Sequence, residues 1–265
     1  MHRLILRTFK HNNNTGFVGL IIQQVLYFER IQMKYQGSKR RIAKEILPII
    51  LSGLKKGQAY VEPFLGGGNS MCCVSGEITR IGADINPYLI ELWKGLIEGK
   101  RGAFPISREL YNDARDKFQA GMLNFEIAWV GFVASFNGRF FDGGYASNSA
   151  KRNYHLEYIR NIEKQIPNMK GVQLYCCDYR KLEIPSNSII YCDPPYRGTK
   201  EYTYSMSFSY EEFYEWLRQK KKEGHTVFIS EFEMPEDFIC VWEKLSRVNI
   251  KPTEKFLCKE KLFTL

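Results

Sequence analysis

The chain has 265 residues, of which 44% are hydrophobic and 25% are charged. It is long enough for one large core, or for one core with a modest inserted module, and its composition is unlike that of a disordered or fibrous chain. The formal net charge of +9 suits a polyanionic partner, although many basic proteins bind none.

The first 32 residues differ from the rest of the chain. Their apolar run, Phe17 to Ile22, is too short to span a bilayer, is broken by Gln23 and Gln24, and lacks a small-residue cleavage site. We therefore predict neither a membrane span nor a signal peptide there. We expect Met33 to be the functional start and residues 1–32 to be a leader whose deletion leaves activity intact.

From residue 33 onward, apolar periodicity and turn residues predict an α/β chain. The elements predicted first are a helix over 38–47 that ends at Pro48, a strand over 59–62, a glycine turn over 64–68, a helix start over 69–75 and a strand over 79–83. Asp84 closes the second strand, and Asn86 can cap the next helix with Pro87 at its first position. Such an arrangement is a βαβ unit.

The middle of the chain differs in composition from the parts on either side of it. Two helical stretches, 107–119 and 123–135, lead into the segment FNGRFFDGGYASNSAKRNYH, which is rich in Gly, Asn, Arg and aromatic residues. This pattern predicts a small, mainly helical recognition module inserted over residues 100–170. The chain as a whole is then an α/β core with one insertion.

The last part of the chain returns to the α/β pattern. Strands are predicted over 172–176, 188–191 and 226–230. A helix before the last strand is opened by Ser209, with Glu212 completing a capping box, and ends at Gly224. The seven cysteines show no Cys-x-x-Cys spacing, so we expect no disulfide framework and no metal site, and an odd number of thiols indicates a reducing cytoplasm.

The stretch VEPFLGGG places three glycines between a strand and a helix. Glycine lets a ligand approach the backbone, and Asp84, 18 residues after Gly66, stands where an acidic residue can hold ribose hydroxyls. The chain lacks both G-x-G-x-x-G and the P-loop pattern. This favours a nucleoside without a pyrophosphate, commonly S-adenosylmethionine, while a turn without any ligand is the alternative.

The stretch SIIYCDPPY ends a buried strand in a carboxylate, two prolines and a tyrosine. The Asp193 carboxylate and the Pro194 carbonyl are two acceptors at a fixed separation, which suits the two hydrogens of an exocyclic amine. Tyr196 can stack on the face of a base. The alternative is a tight turn after a strand.

These blocks together resemble the Dam-like, alpha-group (D12 class) DNA adenine-N6 methyltransferases. Five blocks fall in the family's order: KYQGSK, VEPFLGGG, GADINPYLI, YCDPPY and TVFIS. The resemblance implies a class I S-adenosylmethionine-dependent methyltransferase fold, with a seven-stranded, mostly parallel sheet and helices on both faces. It implies three parts after the leader: a cofactor half (33–99), a target-recognition insertion (100–170) and a catalytic half (171–265).

The resemblance also implies roles for individual residues. Asp193, Pro194 and Tyr196 are implied to be catalytic. The cofactor-binding residues implied are Tyr35, Lys39, Phe64, Gly66, Gly68, Asp84, Asp178, Tyr179 and Asp193. Lys39 could instead be a solvated lysine, and Asp178 a strand-end acid that faces water.

Double-stranded DNA is the partner that this family implies, and the basic residues of the insertion are candidates to bind it. The candidate contacts are Asn137, Arg139, Lys151, Arg152 and Lys200, with Asn137 and Arg139 as base readers. Each basic residue could instead be a solvated charge, and the Asn137–Gly138 pair could serve a turn. The insertion lacks the family's longer hairpin pattern, so no target sequence is predicted.

The implied activity is transfer of a methyl group from S-adenosylmethionine to N6 of a flipped adenine in DNA. The implied setting is a bacterial, archaeal or phage-encoded cytoplasmic enzyme, for which a separate restriction endonuclease is a candidate partner. The alternatives are a methyltransferase acting on an RNA base or a protein amide, a catalytically silent DNA-binding protein of the same fold, and a dinucleotide oxidoreductase. Asp193 and the absence of G-x-G-x-x-G disfavour the first and the last of these.

Overall fold

A computed structural model describes Met33, Lys39 and residues 42–149, 152–196, 208–251 and 254–265. Within these ranges the side chains of residues 246–251 and 254–258 are not described. Three of the predicted site residues, Tyr35, Lys151 and Lys200, lie outside the described residues. Their roles remain predictions.

Within the described residues, seven strands form one sheet. The strands are β1 (Ala59–Glu62), β2 (Thr79–Asp84), β3 (Gln173–Cys176), β4 (Ile189–Cys192), β5 (Thr226–Glu231), β6 (Ile239–Lys251) and β7 (Glu254–Thr264). Their spatial order is β3-β2-β1-β4-β5-β7-β6. The first five run parallel, and β7 lies antiparallel between β5 and β6. This confirms the predicted seven-stranded, mostly parallel sheet.

Helices cover both faces of this sheet, but unequally. The described helices are α1 (Ala43–Ile50), α2 (Pro87–Ile97), α3 (Arg108–Gln119), α4 (Phe125–Ala134), α5 (Tyr154–Met169) and α6 (Tyr210–Lys222). Side chains alternate along the central strands, so Tyr60 and Tyr191 join the larger core cluster with α1 to α5. Val61 and Ile190 join the smaller cluster, which α6 covers with Phe213.

Two helix starts carry the predicted N-cap residues. Asn86 accepts hydrogen bonds from the backbone N–H groups of Tyr88 and Leu89, with Pro87 as the first residue of α2. Ser209 accepts from the Glu212 N–H at the start of α6. The Glu212 carboxylate accepts from Arg180 and so does not complete the predicted capping box.

Two predictions about helix bounds were wrong. Pro48 does not end α1, which continues to Ile50, because Ile50 is buried and the Leu51 N–H still bonds to the Leu47 carbonyl at 2.9 Å. Burial of these apolar residues outweighs the one backbone donor that proline lacks. The helix start predicted over 69–75 is only a 3₁₀ turn, Met71–Cys73, before the chain enters β2.

The range predicted as the insertion shares its core with the cofactor half. Helix α4 is buried from Ile127 to Ala134, and a Cβ on Gly95 of α2 would lie 2.2 Å from the Phe125 ring. Helix α5, which the sequence patterns did not predict, contributes Ile162 and Met169 to the same cluster. The boundary at residue 100 stays a prediction.

A compact loop over residues 135–146 follows α4 and leads towards α5. We call it the recognition loop. Ser135 and Tyr145 form an isolated antiparallel bridge at its base. Phe140 and Phe141 turn inward, and Gly131 of α4 accommodates both rings, since a Cβ there would lie 2.4 Å from Phe140 and 2.8 Å from Phe141. The loop is thereby fixed to the core by two aromatic side chains.

Candidate active site

The carboxyl ends of three adjacent parallel strands bring three carboxylates to one edge of the sheet. Strand β1 pairs in parallel with β2 and with β4. Glu62 ends β1, Asp84 ends β2, and Asp193 follows β4. Ligands of open parallel sheets bind at this edge, so the candidate site lies here.

The glycine turn, residues 64–68, is held against the end of β2. Gly66 and Gly68 have φ values of 50° and 63°, a left-handed conformation that glycine adopts without strain. The Gly66 N–H donates to Asp84 Oδ2 at 2.9 Å, and the Asn86 N–H donates to Asp84 Oδ1 at 2.9 Å. The Asp84 carboxylate therefore fixes the turn, and its remaining lone pairs can accept hydroxyl donors.

Asp84 is half-buried at the end of β2. Burial raises the pKa of this carboxyl above its ordinary value, and the backbone N–H donors from Asn86 and Gly66 oppose the shift. The structure thus brings Gly66, Gly68 and Asp84 together as the sequence predicted.

The proline turn, residues 193–196, follows β4. Lys39 places its ammonium Nζ 3.1 Å from Asp193 Oδ1 and 4.1 Å from the centroid of the Tyr196 ring. The Lys39 side chain is only 7% exposed, so the lysine is not a solvated surface charge. Burial raises the pKa of Asp193, and the attraction of Lys39 partly opposes that rise.

Neighbouring aromatic residues brace the proline turn. The Tyr210 hydroxyl donates to the Pro195 carbonyl at 2.9 Å. The Phe232 ring lies edge-on to Tyr196, with centroids 4.5 Å apart and an interplanar angle of 84°. Pro194 is buried between Asp193 and these contacts. The turn is therefore stiff by its own prolines and by its surroundings.

Glu62 is a third carboxyl at this edge that the sequence patterns did not assign. It is buried, and the Tyr60 hydroxyl donates to its Oε1 at 2.8 Å. Burial raises the pKa of Glu62 well above its usual range, and the nearby Asp193 charge adds to the rise. The sequence signal for Glu62 is its place at the end of the strand AYVE, but the sequence interpretation used only the glycines that follow it.

The structure groups Phe64 with Tyr179 but leaves Asp178 with another partner. The Phe64 and Tyr179 rings have centroids 5.3 Å apart, and burial raises the pKa of Tyr179 to about 12. Arg180 donates to both Asp178 oxygens at 2.8 Å, which lowers the pKa of that carboxyl. Both Asp178 oxygens are thus occupied by an arginine whose side chain is half exposed.

The candidate DNA contacts lie around the recognition loop. Asn137 and Gly138 have φ values of 59° and 68°, so this pair forms a turn, as the alternative interpretation held. Arg139 is partly exposed nearby. Arg152 is exposed and forms a two-point ion pair with Glu157 at 2.7 and 2.9 Å. Asn137, Arg139 and Arg152 all lie in the segment that connects α4 to α5.

The described part of the chain contains no group of three or more His, Cys, Asp or Glu side chains arranged to hold a metal ion. Among the helices of that same part, none combines the length and the apolar character that crossing a bilayer requires.

The strand order and the two turns at the carboxyl edge define a class I methyltransferase fold. A model of the family described as D12 class N6 adenine-specific DNA methyltransferase matches residues 35–124 and 100–237. The chain belongs to this family of DNA adenine methyltransferases, whose methyl donor is S-adenosylmethionine.

Two curated relatives carry related descriptions. The DNA adenine methylase of Haemophilus influenzae is 26% identical over 203 residues, which are 68% of each chain. The retron Ec67 DNA adenine methylase of Escherichia coli is 26% identical over 220 residues, which are 75% of each chain. Both are similar to this chain over most of their length.

One solved structure shows a weak similarity to this chain. The crystal structure of SMU.472, described as a methyltransferase complexed with SAH, is 11% identical with a TM-score of 0.35. The match covers 92% of this chain and 55% of that chain. A likeness of this size supports no statement about the site.

Proposed function

We propose that the protein transfers a methyl group from S-adenosylmethionine to N6 of an adenine that has left the stack of double-stranded DNA. The observation that carries this proposal is the proline turn, where a cationic amine, Lys39 Nζ, already lies 3.1 Å from Asp193 and over the Tyr196 ring. A pocket that holds an ammonium in this way favours a nitrogen on which positive charge develops.

The residues at the glycine turn fit the proposed methyl donor. S-adenosylmethionine, when bound, supplies an electrophilic methyl group on a sulfonium. Gly66 presents partly exposed backbone in a conformation that side chains disfavour, Gly68 lets the turn pack against Met169, and Asp84 is a half-buried acceptor for ribose hydroxyls. Phe64 adds an apolar face between this turn and Tyr179. The donor would lie along this edge, beside Asp193.

The residues at the proline turn fit the proposed acceptor. The Asp193 carboxylate and the Pro194 carbonyl accept the two N6 hydrogens, which draws the nitrogen lone pair out of the adenine ring and stabilises the charge that develops on transfer. The base stacks on Tyr196 and takes the position near Asp193 that the Lys39 ammonium holds. Extrusion from the duplex costs about a few kcal/mol, which these contacts offset.

The duplex would meet the side of the molecule that carries the recognition loop. Arg139, Arg152, Lys151 and Lys200 are the proposed phosphate contacts, and Asn137 with Arg139 the proposed base readers. An enzyme with this substrate works in the cytoplasm of the cell whose DNA it modifies. Pairing with a separate restriction endonuclease is part of the same proposal.

A labelling experiment tests the proposal. The full chain is incubated with tritiated S-adenosylmethionine and equal amounts of duplex DNA, RNA or protein, and the modified residue is identified after digestion. We expect N6-methyladenine in DNA only. Label confined to RNA or protein would overturn the substrate, and DNA binding without any label would favour the catalytically silent alternative.

A further inference from the structure

Helix α5 carries a glutamine whose side chain is fully buried between two distant segments. Gln165 is 0% exposed. Its Nε2 donates to the Gly67 carbonyl at 2.8 Å, and its Oε1 accepts from the Met33 N–H at 2.8 Å. One amide group thus joins the glycine turn to the segment that precedes Lys39.

Met33 is fixed from its other side as well. The Asn69 Nδ2 donates to the Met33 carbonyl at 3.2 Å, and Met33 is only 1% exposed. Both backbone polar groups of Met33 are therefore held, one by α5 and one by the residue that follows the glycine turn. Its position relative to that turn depends on these two side chains.

The end of α5 is also attached to the glycine turn and to β2. Arg80 of β2 is buried and donates to the Asn168 and Lys170 carbonyls at the C-terminus of α5. A Cβ on Gly68 would lie 3.0 Å from Met169 Cε, so this methionine packs directly against the turn. These contacts thus fix the end of α5, and Gln165 with it, relative to the glycine turn.

The other end of α5 reaches the segment after the recognition loop. The Tyr154 N–H donates to Asn148 Oδ1 at 2.8 Å, and Asn153 caps the helix. A single helix therefore runs from the segment that is proposed to meet DNA to the turn that is proposed to meet the methyl donor.

We infer that Gln165 is a positioning residue that sets the distance between the Met33 segment and the glycine turn, and so shapes the cleft for S-adenosylmethionine. The inference rests on the proposed function. Gln165 acts through the backbone of Gly67 and Met33 and touches no reacting atom. The competing explanation is that its amide only satisfies buried polar groups and stabilises the fold.

Three variants separate these explanations. Gln165→Met keeps the size and removes both hydrogen bonds. Gln165→Glu loses the donor to Gly67 when its carboxyl is ionised and regains a donor when it is protonated. Tyr158→Phe is the matched control, because Tyr158 is buried on the same helix and its hydroxyl has no hydrogen-bond partner among the residues that the structure describes.

Binding of S-adenosylmethionine to the full chain is measured by calorimetry without DNA, well below the Tm of each variant, and kcat and KM are measured with DNA. We expect Gln165→Met to weaken binding and raise KM for S-adenosylmethionine about tenfold, with kcat within about threefold of the parent. Hydrogen exchange in the peptide that covers residues 64–69 should rise in this variant and not in Tyr158→Phe.

The Gln165→Glu variant tests whether restoring the donor to Gly67 restores binding of S-adenosylmethionine. Its affinity for S-adenosylmethionine should improve as the pH falls, relative to the parent at each pH, because the protonated carboxyl can donate to Gly67 again. Unchanged binding and exchange in Gln165→Met, with a flat relative pH profile for Gln165→Glu, would overturn the inference alone. A parent protein that binds no S-adenosylmethionine would instead overturn the proposed function and the inference with it.

Discussion

The glycine turn and the proline turn lie at the same sheet edge but restrict the chain in opposite ways. The glycine turn removes side chains, adopts left-handed φ values and is held from outside by Asp84. The proline turn is stiffened by its own prolines, is braced by Tyr210, and presents the side chains of Asp193 and Tyr196. One ligand can thus be held by backbone without side chains and its neighbour by side chains on a rigid support.

The largest expected effect comes from removing the charge on the proline turn. Asp193→Asn keeps the shape and should reduce methyl transfer to DNA about a thousandfold, because the carboxylate no longer stabilises the charge on N6. Tm should change by only a few degrees. Transfer rates and thermal unfolding of the purified variant measure the two quantities.

Asp237→Asn is the control for this change. Asp237 forms a surface pair with Arg218 at 2.7 and 2.9 Å, so it is an aspartate whose charge is bonded outside the two turns. Full activity is expected. An Asp193→Asn enzyme that keeps more than about a tenth of the parent rate would remove Asp193 from the catalytic role.

A side chain on the glycine turn should have the next largest effect. Gly68→Ala forces alanine into a φ of +63° and sets its Cβ 3.0 Å from Met169. Strain of about 1–2 kcal/mol in this turn corresponds to about tenfold weaker binding of S-adenosylmethionine, measured by calorimetry.

Gly99→Ala is the control that places the same kind of backbone strain outside the glycine turn. Gly99 has a φ of +95° with nothing within 4 Å of an added Cβ. The substitution should lower the denaturant midpoint and leave binding of the methyl donor unchanged. Equal loss of binding in both variants would mean that general destabilisation, and not the shape of the turn, controls affinity.

Loosening the support of the proline turn should have a smaller effect. Tyr210→Phe removes the hydrogen bond to the Pro195 carbonyl, worth about 1 kcal/mol, and should lower kcat about fivefold with KM for S-adenosylmethionine unchanged. Tyr175→Phe, which removes an exposed hydroxyl bonded to Gln173, should match the parent. A changed KM with an unchanged kcat would contradict this assignment.

The smallest effect concerns Glu62, which lies between the two turns. Because its pKa is raised in the folded state, the folded protein binds this proton more tightly, so its contribution to stability is greatest below the unfolded pKa and is lost as the pH rises through the folded pKa. Glu62→Gln keeps an acceptor for Tyr60 and removes that dependence.

Denaturant unfolding of the parent and of Glu62→Gln at pH 4 and pH 8 checks this sign. We expect the variant to gain about 1 kcal/mol over the parent at pH 8 and nothing at pH 4. A gain at pH 4 that disappears at pH 8 would show that the carboxyl is stabilised as an anion.

The two turns were predictable because their signals are local. Three consecutive glycines after a strand, the D-P-P-Y run and the Asn86 and Ser209 caps each depend on neighbours within a few residues. The position of Asp84 at the next strand end followed from the parallel sheet. For these features, sequence and structure agree in type and nearly in bounds.

The contacts between the turns were not predictable. Gln165 meets Gly67 across 98 residues and Met33 across 132, and no local pattern encodes such pairs. Helix α5, with Pro167 inside it, was missed for the same reason, since tertiary packing decides its length. The sequence patterns assigned no strand to β6 or β7, whose pairing depends on contacts with each other and with β5.

The inward pair Phe140 and Phe141 has a consequence for which positions of the recognition loop can vary. The two rings pack at Gly131, while Phe136, next to the bridge at the base of the loop, is 54% exposed. Substitution of Phe136 is therefore expected to leave the hydrophobic interior untouched. The exposed residues of the loop, which are proposed to meet DNA, can change while the two rings that hold the loop stay constant.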